Sequence, residues 1–298
     1  MRKASSQRER LAKIAAETLA AIENGTYMLG LSTYRLGPSL SMLKDHTEFL
    51  SASSTLAAWR QPVSSTLTLH THTTIAINEI STLVALRNLC HDSSAVVGAL
   101  NFASAKHPGG GFLSGAQAQE ESLARSSTLY HSLTCATGAQ FYSAHKEPGF
   151  YSHAMLWSPG VLFFRSDEGG WLPPVSVGIV TSPAVNAGAV KYRLKDDDHA
   201  EADAKIEACM HERMARILAL FESKGCTHIV LGSFGTGVFR NDVGTIASLW
   251  AQLLGPNARF EKTFRHVEFA ILGRETFDIF KTAFERRCGQ LWARLPDD

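Results

Sequence analysis

The sequence predicts an α/β protein whose sheet carries helices on both faces. Three observations lead there. From about Ser65 onward, short apolar and β-branched runs alternate with stretches of helical periodicity. Two of those runs, Ala95–Asn101 (AVVGALN) and Thr227–Gly232 (THIVLG), are apolar almost throughout, as strands covered on both faces are. Each runs into a glycine-rich loop, and a further helical stretch follows it.

Residues 7–24 read as an amphipathic helix, because Leu11, Ile14, Ala15, Thr18, Leu19 and Ile22 recur at helical spacing and Asn24-Gly25 stops it. Residues 30–65 are rich in Ser and Thr and read as an irregular or partly helical arm. Residues 1–64 are therefore expected to form an N-terminal extension packed on a main domain of residues 65–298. In that domain the strands fall at Thr66–Leu69, Thr73–Asn78, Ala95–Asn101, Gly160–Arg165, Val175–Thr181, Thr227–Gly232 and His266–Leu272. Helices are expected at Ser81–Cys90, Gln119–Leu133, Ala200–Ser223, Asn241–Leu254 and Glu275–Cys288.

A chain of 298 residues, 45% hydrophobic and 19% charged, can bury a core without covalent staples. Its net charge of +1 argues against a nucleic-acid or anionic-membrane surface. The cysteines Cys90, Cys135, Cys209, Cys226 and Cys288 are odd in number, widely spaced and free of any C-x-x-C. That pattern argues against a disulfide framework or a zinc ribbon and favours a reducing compartment, so an intracellular site, cytoplasmic or nuclear, is expected. No apolar run is long enough to span a membrane. The basic start, Met1–Arg10, leads into no apolar stretch, and Glu9 and Glu17 interrupt a transit-peptide pattern.

Ligands of α/β sheets collect beyond the carboxyl ends of strands. The first glycine loop, Asn101–Glu121, contains Pro108 and the triplet Gly109–Gly110–Gly111. Such a triplet lets the backbone take positive φ and approach a ligand, with N–H groups that can face phosphate oxygens. The second loop, Gly232–Asp242, holds Ser233, Gly235, Thr236, Gly237, Val238 and Phe239 ahead of a helix near Asn241. Two such loops suit a diphosphate, although a glycine-rich turn taken singly is often only a turn. Neither matches a dinucleotide fingerprint or a P-loop, since no G-K-[ST] follows the glycines. The first loop ends in Gln119-Glu120-Glu121. Two acids opening a helix also complement its dipole, a reading that weakens beside the glycines upstream.

The stretch GGG-x7-QEE resembles the signature of the poly(ADP-ribose) glycohydrolases, and LNFASAKHPGGGFLSGAQAQEESLARSSTLY resembles their microbial branch. SPGVLFFR (Ser158–Arg165), SPAVN (Ser182–Asn186) and FGTGVFRND (Phe234–Asp242) extend the similarity to nearly the whole chain. The resemblance implies a macrodomain-like three-layer α-β-α sandwich with a mixed, largely parallel sheet, here with an N-terminal helical extension. It implies hydrolysis of ribose–ribose O-glycosidic bonds, from chain ends, with ADP-ribose as product. By the same resemblance Glu121 is the catalytic acid/base and Glu120 holds ribose hydroxyls beside the scissile bond. Gly109–Gly111 line the diphosphate and distal ribose, Gly235–Phe239 form a second phosphate loop, and Phe239 packs on the sugar or adenine side. Asn101, Pro108, Gln119 and Ser233 complete the expected substrate-binding set. No metal and no cofactor is implied. The partners are poly(ADP-ribose) or ADP-ribosylated protein, with no membrane, no direct nucleic-acid binding, and a monomer expected.

The chemistry agrees. Glycoside cleavage needs a proton for the leaving oxygen and help for an oxocarbenium-like carbon. A carboxylic acid can give that proton and then act as base toward water. Adjacent glutamates do not straddle a bond as ordinary glycosidase pairs do, which makes Glu120 a positioner. Asn101 fits a ribose contact or a turn cap equally, and Asn186, after another strand end, is a weaker ligand candidate.

Other residues have plainer readings. His70-Thr71-His72 places two imidazoles on one strand face, but no third ligand accompanies them. Asp196-Asp197-Asp198-His199 reads as a solvated acidic run before a helix. Cys135 reads as a buried thiol, Phe163, Phe164 and Phe269 as core, and Arg125 either pairs with Glu121 or faces solvent. The rival functions are a hydrolase of single ADP-ribose units, which would not require QEE, and a non-catalytic ADP-ribose reader, which would not require an acid at Glu121. An adapter acting through its N-terminal arm is a third.

Overall fold

The computed structural model describes residues 2–61, 70–193 and 199–292. In chain order they form α1 (Arg2–Asn24), β1 (Thr26–Leu29), β2 (Ser32–Arg35), α2 (Gly37–His46), β3 (Glu48–Leu50), β4 (Thr74–Asn78), α3 (Thr82–Leu89) and β5 (Val97–Phe102). Next come α4 (Gln119–Ser126), α5 (Leu129–Thr134), α6 (Ala136–Ala144), β6 (Met155–Arg165), β7 (Trp171–Ser182) and α7 (Ala187–Lys191). The last are α8 (His199–Ser223), β8 (His228–Leu231), α9 (Val243–Leu254), β9 (His266–Ala270) and α10 (Arg274–Trp292). The strand expected at Thr66–Leu69 and the aspartates of the acidic run lie outside the described residues.

The chain divides into two compact units. One comprises Met1–Ser51, Thr82–His145 and Ala154–Pro183; the other comprises Ala52–Ser81, Lys146–His153 and Ala184–Asp298. Both draw on residues from either side of position 64.

In the first unit the strand order is β3-β6-β7-β5. β5 runs parallel to β7, with Asn101 opposite Thr181, and β6 is antiparallel to both β7 and β3. The apolar run of β5 is buried as expected, which brings the first glycine loop out at its carboxyl end. Gly178 on β7 has no room for a side chain, because the Trp157 indole covers its Cα. Helix α1 buries Leu11, Ala15 and Thr18, and Ala15 packs with Phe112 and Ala124 in one cluster. Each such apolar side chain taken from water contributes about 1.5–3 kcal/mol for the larger ones. β3 is a finding the sequence did not suggest: the Ser/Thr-rich arm supplies a strand paired with β6 at Phe49 and Leu156.

The single helix expected over Gln119–Leu133 is two. Ser127 is extended, at φ −152° and ψ 178°, and bridges to Phe163. The hydroxyls cause the break: Ser127 Oγ donates to the Leu123 carbonyl at 2.7 Å and accepts the Leu129 N–H at 3.1 Å. Ser and Thr side chains that bond local backbone compete with helix continuation. α6 and α7 also went unanticipated. Cys135 caps α6, its sulfur accepting the Gly138 N–H, and Asn186 caps α7, accepting the Ala189 N–H at 3.0 Å.

The second unit orders its strands β8-β9-β4, all parallel, with Leu231 and Ile77 both opposite Phe269. Phe269 is fully buried against Phe280 and Phe284 of α10. Trp250 of α9 donates its indole N–H to the Gly232 carbonyl at 3.1 Å, tying the helix to the start of the second glycine loop. Phe163, Phe164 and Phe269 are core residues, as the sequence suggested. Among the described residues no helix is long and apolar enough to cross a membrane.

Candidate active site

In the first unit the glycine triplet and the start of α4 are one construction. Gly109 and Gly110 take left-handed φ of 68° and 58°, whereas Gly111 does not, at φ −102°. The turn therefore uses the conformational freedom of glycine at two of the three positions. Gly110 also needs the bare Cα: a Cβ there would lie 2.9 Å from Glu121 Cδ and 3.3 Å from Glu120 Oε2. Both carboxyl groups thus face one point on the turn.

The N–H groups of the triplet, expected to face phosphate, have partners within the protein. The Gly111 N–H donates to Glu121 Oε1 at 2.9 Å, the Gly110 N–H to the His107 carbonyl at 2.9 Å, and Gly109 bonds the Glu120 carboxyl. Gly109 and Gly111 thus serve the two carboxyl groups, because a buried charge or polar group must be hydrogen-bonded.

Glu120 is 3% exposed. Its Oε2 accepts the Ser104 N–H at 2.7 Å and its Oε1 accepts the Asn101 amide at 3.3 Å. Burial pushes its pKa up to about 8, against the lowering effect of the Ser104 and Asn101 hydrogen bonds, with the neighbouring Glu121 adding to the rise. At neutral pH Glu120 therefore holds a proton. Glu121 is 9% exposed; Oε1 is fixed by Gly111, and Oε2 is buried with no hydrogen-bond partner. Asn101, fully buried at the end of β5, donates also to Thr181 Oγ1 at 3.3 Å, and its Oδ1 is likewise without a partner.

Gln119, expected to touch substrate, is hydrogen-bonded within the protein. Its Oε1 accepts the Phe102 N–H at 2.9 Å, and its Nε2 donates to the Leu100 carbonyl at 2.7 Å and to Thr82 Oγ1 at 3.3 Å. Both ends of the amide are used in tying α4 to the backbone of β5. Arg125 does not face solvent; it interacts electrostatically with Glu121 without a direct salt bridge to it. Buried, it turns its guanidinium to the Ala116 carbonyl and, at 3.3 Å, to Ser122 Oγ. Pro108 opens the turn, half-buried.

α1 backs this turn. Thr18 Oγ1 donates to the Arg125 carbonyl at 2.6 Å, and Gly115, at φ 78°, admits the Arg8 carbonyl against its bare Cα. Arg165 of the SPGVLFFR motif also meets this helix: buried, it pairs with Glu17 at 3.1 Å and lies 3.4 Å from the Trp171 ring centroid.

The second unit carries the other loop. Gly235, at φ 76°, sits against Ala184 and Asn241, leaving no space for a Cβ. Asn241 fastens the loop, donating to Val185 O at 2.8 Å and Gly235 O at 2.9 Å. Thr236 Oγ1 donates to Ser233 O at 3.0 Å. Gly237 and Val238 are exposed at the loop tip, and the Phe239 ring lies 6.0 Å from that of Tyr151 at a tilt of 41°. Asp242 caps α9, accepting the Thr245 N–H at 2.7 Å. His72 Nδ1 lies 3.2 Å from Thr71 Oγ1, and no group of three or more potential metal ligands occurs among the described residues.

Sequence reasoning did not find Ser104, whose contribution is a backbone N–H and so independent of residue type. It also passed over Tyr151, whose one visible signal is an aromatic pair directly after a glycine in Gly149-Phe150-Tyr151.

Comparison with solved structures shows the same fold. The poly(ADP-ribose) glycohydrolase of Thermomonospora curvata superposes with a TM-score of 0.83 at 36% identity, over 93% of this chain and 98% of that one. Its complex with the inhibitor ADP-HPD gives 0.81 and 37%, with the same coverage. The Deinococcus radiodurans enzyme in complex with ADP-ribose gives 0.73 and 35%, over 85% of this chain and 98% of that one. No match was found among curated proteins. In class the molecule is a macrodomain-like α/β protein, as the resemblance implied. A family model described as the microbial-type PARG catalytic domain matches residues 15–166. The chain belongs to the microbial-type poly(ADP-ribose) glycohydrolases, enzymes that hydrolyse the glycosidic bonds of poly(ADP-ribose).

Proposed function

We propose that Glu121 is the acid/base of this reaction, that the enzyme works from chain ends, and that it releases ADP-ribose. One observation carries the assignment: Glu121 has one carboxyl oxygen pinned by the Gly111 N–H and the other buried without a partner. An unpartnered buried acceptor is costly to maintain, so its persistence at a ligand-sized turn argues for use on a ligand. In the reaction, Glu121 protonates the leaving ribose oxygen as the C–O bond breaks. It then takes a proton from the water that adds to the oxocarbenium-like carbon. Glu120, held by Ser104 and Asn101, positions the ribose beside it.

The relatives solved with ADP-ribose and with ADP-HPD support binding of the ADP-ribose product here. Asn101, Pro108 and Gly109–Gly111 are the proposed contacts on the first loop; Ser233, Gly235, Thr236, Gly237, Val238 and Phe239 are those on the second. The free state of all five cysteines supports a reducing compartment, cytoplasm or nucleus.

Incubation with purified polymer, resolving ADP-ribose from oligomers, tests this reading. Wild type should release ADP-ribose. Glu121→Gln should release none yet bind ADP-ribose within about tenfold of wild type, because it removes a transition-state interaction. Near-normal turnover by Glu121→Gln overturns the assignment; binding without release by wild type indicates a reader; oligomeric products alone overturn action from chain ends.

A further inference from the structure

Helix α6 of the first unit carries a tyrosine set against the usual orientation of its kind. Tyr142 is half-buried, yet its hydroxyl oxygen is wholly buried and has no hydrogen-bond partner among the described residues. A tyrosine near the surface ordinarily buries its apolar body and leaves the hydroxyl wet. Here the polar tip is inside and the residue's exposure lies elsewhere. Phe141, fully buried in the same helix, holds the ring edge-on, with centroids 5.0 Å apart and planes at 85°.

Burial pushes the Tyr142 pKa up, and Glu120 and then Tyr130 add to the rise. The hydroxyl is therefore within electrostatic reach of the carboxyl group that opens α4, and it keeps its proton at neutral pH. Tyr130 in turn packs on Phe112 of the glycine turn, centroids 4.8 Å apart. Tyr142 thus stands beside the two carboxyl groups.

Two more buried oxygens share its condition. Asn101 Oδ1 and Glu121 Oε2 are also without partners among the described residues, while Asn101 Nδ2 donates to Glu120 Oε1 at 3.3 Å. Three orphaned polar atoms therefore gather at one pair of carboxyl groups. One orphan is a local cost; three together persist where a ligand satisfies them. Their chemistry narrows the ligand. An amide oxygen and a carboxylate oxygen only accept, whereas a phenol both donates and accepts. Such a set repels a phosphate, which also only accepts, and matches a vicinal diol, whose hydroxyls do both.

We propose that Tyr142 is a substrate-contacting residue: its hydroxyl, together with Asn101 Oδ1, binds the ring hydroxyls of the ribose at the scissile bond and selects a sugar that carries that diol. This rests on the reading that Glu120 and Glu121 face the scissile ribose.

Tyr142→Phe removes one oxygen and keeps the ring. Affinities are read by calorimetry for ADP-ribose, for ADP, which lacks that ribose, and for two ADP-ribose analogues, each lacking one of its ring hydroxyls. The variant should bind ADP-ribose about tenfold more weakly, the effect of one lost hydrogen bond, and bind ADP as wild type does. Against one of the two analogues wild type and variant should bind alike. On polymer, kcat/KM should fall by about the same tenfold. The melting temperature should hold or rise, because an orphaned hydroxyl has been removed. Wild-type ADP-ribose affinity in Tyr142→Phe overturns the proposal, and with Glu121→Gln inactive it leaves the function reading intact. Equal losses for ADP and ADP-ribose make the tyrosine structural and overturn it as well. A loss that persists against both analogues overturns the diol contact. Near-normal turnover by Glu121→Gln removes the reading on which the proposal rests.

Discussion

The Glu121 carboxyl group rests over the bare Cα of Gly110, so that a single methyl at that position would come within 2.9 Å of Glu121 Cδ. Glycine at 110 is thus required by its neighbour as well as by its φ of 58°. The placement of that carboxyl group and the backbone conformation are two aspects of one contact.

Gly110→Ala should therefore separate activity from stability. The left-handed φ costs an alanine about 1–2 kcal/mol, which lowers the melting temperature by a few degrees. Displacing the carboxyl by even an ångström should lower kcat about 100-fold. Gly111→Ala is the control: its φ is −102° and its nearest neighbour would be Ala116 Cβ at 3.0 Å. It should keep more activity than Gly110→Ala, as steady-state assays on both variants would show; equal losses would remove the special role of the Gly110–Glu121 contact.

Glu120→Gln should change how stability depends on pH. The folded pKa, about 8, lies above the ordinary carboxylate value of 4.5. Between those values the folded state binds more protons than the unfolded state, so this group's stabilisation is complete below about pH 4.5 and is lost as pH rises through 8. A glutamine has no such titration. The variant should gain melting temperature relative to wild type as pH is raised from 5 to about 8.5, measured by parallel thermal scans. A difference that is flat with pH would show that burial does not hold this carboxyl protonated.

Gln119→Leu keeps the size of the side chain and strands the Phe102 N–H and Leu100 carbonyl that the amide now serves. A loss of about 2–4 kcal/mol in unfolding free energy is expected from two unpaired buried groups. Turnover should fall because α4 loses its tie to β5, while ADP-ribose affinity stays within a few-fold. Denaturant melts and calorimetry decide this: intact stability with collapsed affinity would return Gln119 to the substrate.

These contacts also show where sequence reading works. β5, β8 and the glycine turn after β5 were legible because burial on both faces writes itself as an unbroken apolar run and a left-handed turn as glycine. β3 was not, since three residues carry no periodicity. α6 was not, because ATGAQFYSA has only Gly138 and Phe141 buried and no stripe to read. The break at Ser127 was written in Ser126-Ser127-Thr128, whose hydroxyls favour local backbone bonds, but the helical pattern on either side masked it. The roles within the site were legible only in outline. The QEE acids stood out, whereas the groups that hold them and their helix are not adjacent in sequence: Ser104 bonds Glu120 through its backbone, and Thr18 holds the Arg125 carbonyl from 107 residues upstream.

That last distance bears on what a shortened chain would keep. A chain cut just past α1, beginning at Met28, makes the case. A product begun there would retain every glycine and glutamate of the signature. It would lack Ala15 against Phe112, Thr18 on the Arg125 carbonyl and the Arg8 carbonyl at Gly115. An intact motif would then accompany a slack active site, and screening homologous reading frames by the signature alone would count inactive proteins as enzymes.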